Sequence, residues 1–310
     1  MAVPIIKWAG GKRQLLTEIN KRIPDKYNTY YEPFFGGGAV FFDIEPKKAV
    51  INDFNSQLIN VYKKIKTSPK QIITYLEKYQ NEYNEISGKE KKLEYYYQKR
   101  TEFNTFIKSN TFSSESASLF IFLNKAGYNG LYRVNSDGFY NVPSAHRKTL
   151  NLFDKDNILD VSKKLKGCTI KCGDFYKACK EVSEGDLVFF DSPYYDTFDT
   201  YQAGGFSEED HKRLAKLFDE LNERGAFIIL TNNDCNYIKE LYSKYTIDVV
   251  SVKRMINSDS TNRKGSEVII TNFWKEQRND YHARCSSEFK WESIWRNDDS
   301  HFHCKRIWNI

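Results

Sequence analysis

Two hydrophobic rhythms alternate along the chain and divide it into regions. Short solid apolar runs that close on a polar or acidic residue mark strands: DLVFFD (Asp186 to Asp191), AFIILTNN (Ala226 to Asn233) and, later, SEVIITNF (Ser266 to Phe273). The first two lack the alternation of a strand with one wet face and have the composition of a parallel sheet covered on both sides. CTIKCGDF (Cys168 to Phe175) predicts a further strand and turn, and Tyr237 to Tyr245 a helix. SEEDHKRLAKLFDELNERG (Ser207 to Gly225) predicts a helix with Ser207 as N-cap, the acid Asp210 in its opening turn and Gly225 as C-cap. Residues 31–59 predict a strand, a glycine-rich loop, a helix or strand, and a second strand ending in VIND (Val50 to Asp53).

The middle of the chain is different. Residues 60–110 are rich in Lys, Glu, Tyr and Gln and poor in β-branched residues, a helical pattern, with NEISGKEKK as an exposed turn between two helices. An apolar stretch, 119–124, is followed by YNGLYRVNSDGFYNVP (Tyr128 to Pro143). There Asp137-Gly138, set between apolar and aromatic runs, predicts a hairpin. The pattern therefore predicts two α/β halves around a helical insert, with no internal repeat.

At 310 residues the chain can bury a core without disulfides or metals. Its 40% hydrophobic and 28% charged residues fit a globular protein. No apolar run is long enough to span a membrane, and the opening lacks the apolar core of a signal peptide. Six Cys without framework spacing predict reduced thiols and a cytoplasmic protein. A net charge of +6 permits a nucleic-acid partner without requiring one. The 21 Tyr, 22 Phe and 5 Trp suit either base stacking beside phosphate contacts or an aromatic core. The tail 275–310 carries His282, Cys285, His301, His303 and Cys304, but their spacing matches no standard zinc finger. It is expected to be a polar, aromatic-bearing extension, and no metal is assigned.

Candidate chemistry lies where strands end, because open α/β sheets bind ligands beyond their carboxyl ends. Phe34-Phe35-Gly36-Gly37-Gly38 is either a tight turn or a backbone that a ligand approaches closely. Asp53, ending the next strand, can accept both hydroxyls of a ribose. Asp191-Ser192-Pro193-Tyr194 sets a carboxylate, a backbone carbonyl and an aromatic ring side by side. These match a planar ring with an exocyclic amine, or else form a proline turn with a capping Asp.

In this order, these motifs resemble the Dam-type DNA adenine-N6 methyltransferases of the D12 class. Lys7-Trp8-Ala9-Gly10-Gly11-Lys12, YEPFFGGGAVFF (Tyr31 to Phe42), Asn52-Asp53, YYYQKRTEFN (Tyr95 to Asn104), FLNKAGYNGLYRVNSDGFYNVP (Phe122 to Pro143), Gly173-Asp174-Phe175 and Asp191 to Tyr194 carry the resemblance, which runs from Lys7 to about residue 274. It departs at Ser192, where the family usually has proline. The resemblance implies a Rossmann-like α/β methyltransferase sheet with an inserted helical and β-hairpin DNA-recognition domain. The catalytic domain would be discontinuous (1–59 and 149–274), the recognition domain would span 60–148, and 275–310 would be an extension.

The resemblance further implies S-adenosylmethionine as cofactor, held by Trp8, Lys12, Phe34, Phe35, Gly36, Gly38, Asp53, Asp174, Phe175 and Asp191. Asp191, Ser192, Pro193 and Tyr194 would receive the amine of an adenine flipped out of double-stranded DNA. Arg133 and Lys7 would read guanines, Tyr128 and Asn129 would fill the stack, Leu131 and Pro143 would touch thymine methyls, and Arg100, Lys125 and Arg147 would meet phosphates, at GATC. The implied protein is a monomer or weak dimer that can pair with a restriction endonuclease. Another DNA site, RNA, or a weakened DNA-binding homologue marked by Ser192 are the alternatives.

Overall fold

The structure is a computed structural model, and it describes residues 2–8, 10–195, 205–253 and 264–273. The tail 275–310, with its His and Cys residues, lies outside the described residues. Residues 1–275 form one compact unit.

The strands are β1 (Tyr30–Glu32), β2 (Ala49–Ile51), β3 (Cys168–Ile170), β4 (Leu187–Asp191), β5 (Phe227–Asn233), β6 (Thr246–Lys253) and β7 (Lys264–Thr271). They form one seven-stranded sheet in the order β3-β2-β1-β4-β5-β7-β6. The first five in that order pair in parallel, and β7 runs antiparallel to both β5 and β6. The chain thus has the expected α/β class, with a seven-stranded sheet of Rossmann-like methyltransferase type.

The solid apolar runs are explained by this sheet. In β4, Leu187 and Phe189 join one core cluster and Val188 and Phe190 the other. In β5, Ile229 joins the first cluster and Ile228 and Leu230 the second. Period-two side chains on a strand covered on both faces leave no position for a polar residue until the strand ends. β6 is an unforeseen strand, since it pairs only with β7 at the sheet margin. Val249 there is 54% exposed. Such a strand carries no solid apolar run.

Helices α1 (Leu16–Asn20) and α2 (Ala39–Ile44) flank β1. Between β2 and β3 come α3 (Ser56–Thr67), α4 (Pro69–Glu85), α5 (Lys89–Lys108), α6 (Ser114–Ala126) and α7 (Lys155–Leu165). α8 (Phe175–Ala178), α9 (Glu208–Glu223) and α10 (Asn236–Leu241) complete the set. α9 begins with the expected capping box, in which Ser207 and Asp210 each accept from the other's backbone N–H. α3 runs through position 59/60. Its apolar face shares a cluster with Ile72, Tyr79 and Tyr83 of α4, Tyr96 and Phe103 of α5, and Phe122 of α6. The aromatic surplus is thereby largely core: Tyr30, Tyr62, Tyr79, Tyr83, Tyr96 and Tyr242 are all fully buried.

The expected hairpin is a loosely bridged loop. Val134 pairs with Tyr140 and Gly127 with Ser144 in isolated antiparallel bridges. At the tip, Asn135 N–H donates to Phe139 at 2.9 Å and Gly138 N–H to Asn135 at 3.0 Å.

Candidate active site

The carboxyl ends of β1, β2 and β4 open into a cleft of about 910 Å³. Its lining brings together Trp8, Lys12, Phe34, Phe35, Gly36, Gly38, Asp53, Leu131, Asp174, Phe175, Asp191, Ser192, Pro193 and Tyr194, from six separate sequence motifs.

The glycine loop closes over its own aromatic residues. Gly36 has φ +48°, and a Cβ there would lie 2.6 Å from Trp8 Cδ1. At Gly38, φ +69°, a Cβ would lie 2.5 Å from the Phe35 ring. Both positions exclude other residues by conformation and by contact. Asp53 fastens the loop: its Oδ2 accepts from Gly36 N–H at 2.8 Å and its Oδ1 from Asn55 N–H at 2.9 Å. Trp8 stacks against Tyr132 with ring centroids 6.0 Å apart.

An aromatic slot lies beside this loop. The Phe34 and Phe175 rings stack at 5.3 Å, and Phe206 meets both at 5.8 Å. Asp174 caps α8 through Tyr176 N–H at 3.1 Å and accepts from Arg213 Nη2 at 3.0 Å. Arg213 also lies 5.1 Å over the Phe175 ring and lines the cleft. Sequence reasoning missed Arg213, whose cleft partner Asp174 lies well before it in the chain, although it also pairs with Asp210 one turn earlier at 2.8 Å.

At the floor, Lys12 Nζ lies 2.5 Å from Asp191 Oδ1, 4.7 Å above the Tyr194 ring and 2.7 Å from the Gly10 carbonyl, to which it donates. The Lys12 side chain is only 4% exposed. Burial pushes the Asp191 carboxyl above its ordinary range, and Lys12 opposes that shift. Beside it Glu32, also unforeseen, is buried and accepts from Tyr30 Oη at 2.8 Å. Burial holds its carboxyl well above the usual carboxylate range.

The end of β5 braces the tetrapeptide. Thr231 Oγ1 donates to Asp191 Oδ1 at 3.2 Å, Asn232 Nδ2 to Ser192 Oγ at 3.2 Å, and Asn233 Nδ2 to the Tyr195 carbonyl at 2.9 Å. Tyr194 Oη donates to Glu267 of β7, which is paired in register with Asn233. The rule that ligands gather at strand ends was the available signal for Thr231, Asn232 and Asn233.

The residues expected to meet DNA do not line the cleft, except Leu131. Tyr128 is 53% exposed. Asn129 adopts φ +53°. Arg133 and Pro143 are also exposed, and so are Lys7 and Arg147. Arg133 Nε donates to Asn141 Oδ1 at 2.7 Å across the loop, which orients its guanidinium. Asn124, unforeseen, donates to the carbonyls of Lys7 (2.8 Å) and Gly130 (2.7 Å) and accepts from Lys7 N–H. It thereby brings the N-terminal segment beside the loop. Arg100 is half-buried, donates to the Val142 carbonyl at 3.4 Å and stacks 4.5 Å over Tyr97. Lys125 is half-buried, and its ammonium is held below its ordinary range by burial, then by Lys7 and Arg13.

Comparison with known proteins agrees with this geometry. The family described as D12 class N6 adenine-specific DNA methyltransferase matches residues 8–256. The chain is 40% identical to the Type II methyltransferase M1.LlaDCHI of Lactococcus lactis subsp. cremoris, over 87% of this chain and 95% of that protein. It is 38% identical to the Type II methyltransferase M.MjaIII of Methanocaldococcus jannaschii, covering 87% and 99%. It is 31% identical to the DNA adenine methylase of Escherichia coli K12, covering 86% and 93%. The methyl donor of such enzymes is S-adenosylmethionine, an amino acid joined through sulfur to a nucleoside. The cleft fits that donor chemically: a glycine cradle no Cβ could enter, an aromatic slot, and the Asp53 and Asp174 carboxylates at adjacent strand ends. Among the described residues, no helix is long and apolar enough to cross a membrane.

Proposed function

Because the chain belongs to the D12 class of N6 adenine-specific DNA methyltransferases, we propose that it methylates an adenine flipped out of duplex DNA, within GATC. The observation that carries the reading is the Lys12–Asp191 pair at 2.5 Å, set in the same cleft as the glycine loop. When bound, S-adenosylmethionine supplies an electrophilic methyl group.

The chain's own residues do the rest. The lone pair of an adenine amine is delocalised into its ring and is a poor nucleophile. Asp191 and the Ser192 carbonyl accept its two N–H bonds, which draws the nitrogen toward tetrahedral geometry and localises the lone pair. Asp191 accepts most strongly as a carboxylate. Burial disfavours that form, and Lys12 opposes the shift. Flipping the base costs a few kcal/mol, and stacking on Tyr194 offsets about 1–3 kcal/mol of it. Holding the amine in line with the methyl contributes up to about 7–11 kcal/mol. Phe34, Asp53, Asp174 and Phe175 hold the nucleoside end of the donor.

Reading of the site falls to the bridged loop. Arg133 takes one guanine edge and Lys7 another, Tyr128 and Asn129 fill the emptied stack, and Leu131 and Pro143 meet thymine methyls. Lys125, Arg147 and Arg100 serve the phosphates. Pairing with a restriction endonuclease, in the cytoplasm, is part of the same proposal, and the Type II relatives make a site other than GATC the competing reading.

The test is tritiated-methyl transfer to unmethylated duplexes that differ only in GATC against scrambled sites. Label confined to GATC supports donor, substrate and loop together. Label on another sequence keeps the chemistry and overturns the roles given to Arg133, Leu131 and Pro143.

A further inference from the structure

A proline at position 192 would fix φ near −65° and limit how far the carbonyl behind the target amine can swing. Serine imposes no such limit. This chain surrounds Ser192 with a different constraint. Its side chain is buried, and its Oγ accepts from Asn232 Nδ2 at 3.2 Å. Asn232 is only 1% exposed, and its Oδ1 accepts from the N–H groups of Tyr195 at 3.2 Å and Asn233 at 2.9 Å. One amide at the end of β5 therefore grips the loop twice, at the acceptor position and again just past Tyr194. Thr231 on Asp191 and Asn233 on Tyr195 are the rungs on either side.

We propose that Asn232 is a positioning residue that replaces, through hydrogen bonds, the ring constraint proline would supply at position 192, and so holds the Ser192 carbonyl where the target amine is received. The proposal rests on the reading of Asp191 to Tyr194 as the amine-receiving loop. Asn232 touches neither amine nor donor in this scheme. Its effect passes through the placement of the loop, where an error of about 1 Å can cost about a hundredfold in rate.

The experiment is a double-mutant cycle with N232A and S192P, assayed on unmethylated genomic DNA so that it does not depend on the recognition sequence. N232A is expected to lower kcat about tenfold, the scale of one or two buried hydrogen bonds. KM for DNA and the Kd for S-adenosylhomocysteine should stay within about twofold. In the S192P background the same N232A change should cost about threefold or less, because the ring then supplies the constraint and only the Tyr195 and Asn233 N–H contacts are lost. An equal kcat loss in both backgrounds would overturn the proposal, as would an unchanged kcat in N232A. Should N232A fail to fold, S192A breaks the same bond from its other end. A severalfold loss in kcat with KM unchanged then supports the proposal, and wild-type kcat overturns it. D191A run alongside separates the two levels: if D191A retains activity, the reading of the loop itself fails, whatever the cycle shows.

Discussion

The cleft floor and the bridged loop above it are built on opposite plans. At the floor, Lys12, Ser192 and Asn232 are all under 5% exposed, and their polar groups bond to one another or to adjacent strand ends. On the loop, Tyr128, Arg133 and Pro143 face solvent, with side-chain ties as sparse as the one from Asn141 to Arg133. The difference fits what the proposed function asks of each. Localising a lone pair needs acceptors already desolvated and fixed, because a low local dielectric strengthens them and no reorganisation is then required. Reading a base edge needs donors still available to a partner, held only firmly enough to arrive pre-aimed. Changes at the floor should therefore strike turnover, and changes on the loop should strike sequence choice.

The largest effect is expected from Lys12→Met at the floor. The change removes the charge that opposes the burial-driven rise of the Asp191 pKa but retains the length of the side chain. Burial already raises the Asp191 pKa, so without Lys12 it rises further. Activity needs the carboxylate. It is present above that pKa and lost as pH falls through it. The acid limb of the kcat profile should accordingly move to higher pH, and kcat at neutral pH should fall about a hundredfold or more. Turnover should recover partly toward alkaline pH. A loss of kcat with the acid limb unmoved would break the link between this pair and the chemistry, and would leave Lys12 a purely structural residue.

The middle effect belongs to the loop. Arg133→Ala should cost about 1–3 kcal/mol of discrimination between the preferred site and single-base variants, read as the ratio of kcat/KM values. Melting temperature should stay unchanged, since the side chain is exposed. Equal losses on every sequence would move Arg133 from base reading to phosphate contact and would blunt the contrast between the two regions.

How far the sequence carried differs between the same two regions. The sheet was legible because strands covered on both faces must be solidly apolar, and the strand-end motifs fell into one cleft as the order of parallel strands requires. β6 escaped because an edge strand with half-exposed faces has no such signature. Glu32, Arg213, Asn232 and Glu267 escaped for another reason. Arg213, Asn232 and Glu267 act on residues brought near by sheet pairing or helix packing, Glu32 lies buried beside an Asp191 that only the β1–β4 pairing brings close, and no local pattern marks a Glu on β7 as the partner of Tyr194. Asn124 likewise gave no local sign that it would tie Lys7 to Gly130. On the loop, Asp137-Gly138 correctly marked the reversal, but the turn signal says nothing of how little ladder its flanks would form.

The smallest effect is the sharpest test of what lies between floor and loop. Lys125, half-buried, sits near enough to Lys7 and Arg13 that both, together with burial, disfavour its charge. In the folded protein its pKa is depressed, so below that pKa its charge lowers stability, and the penalty fades as pH rises through it. A residue that strains the unbound protein in this way is relieved when a phosphate arrives. Lys125→Met should therefore leave the melting temperature at neutral pH unchanged or slightly raised. It should weaken DNA binding by about the same factor on every sequence, and reduce the slope of log K against log salt by about 0.9, the loss of one phosphate contact. If the slope is unchanged while the protein melts lower, Lys125 is a packing residue of α6.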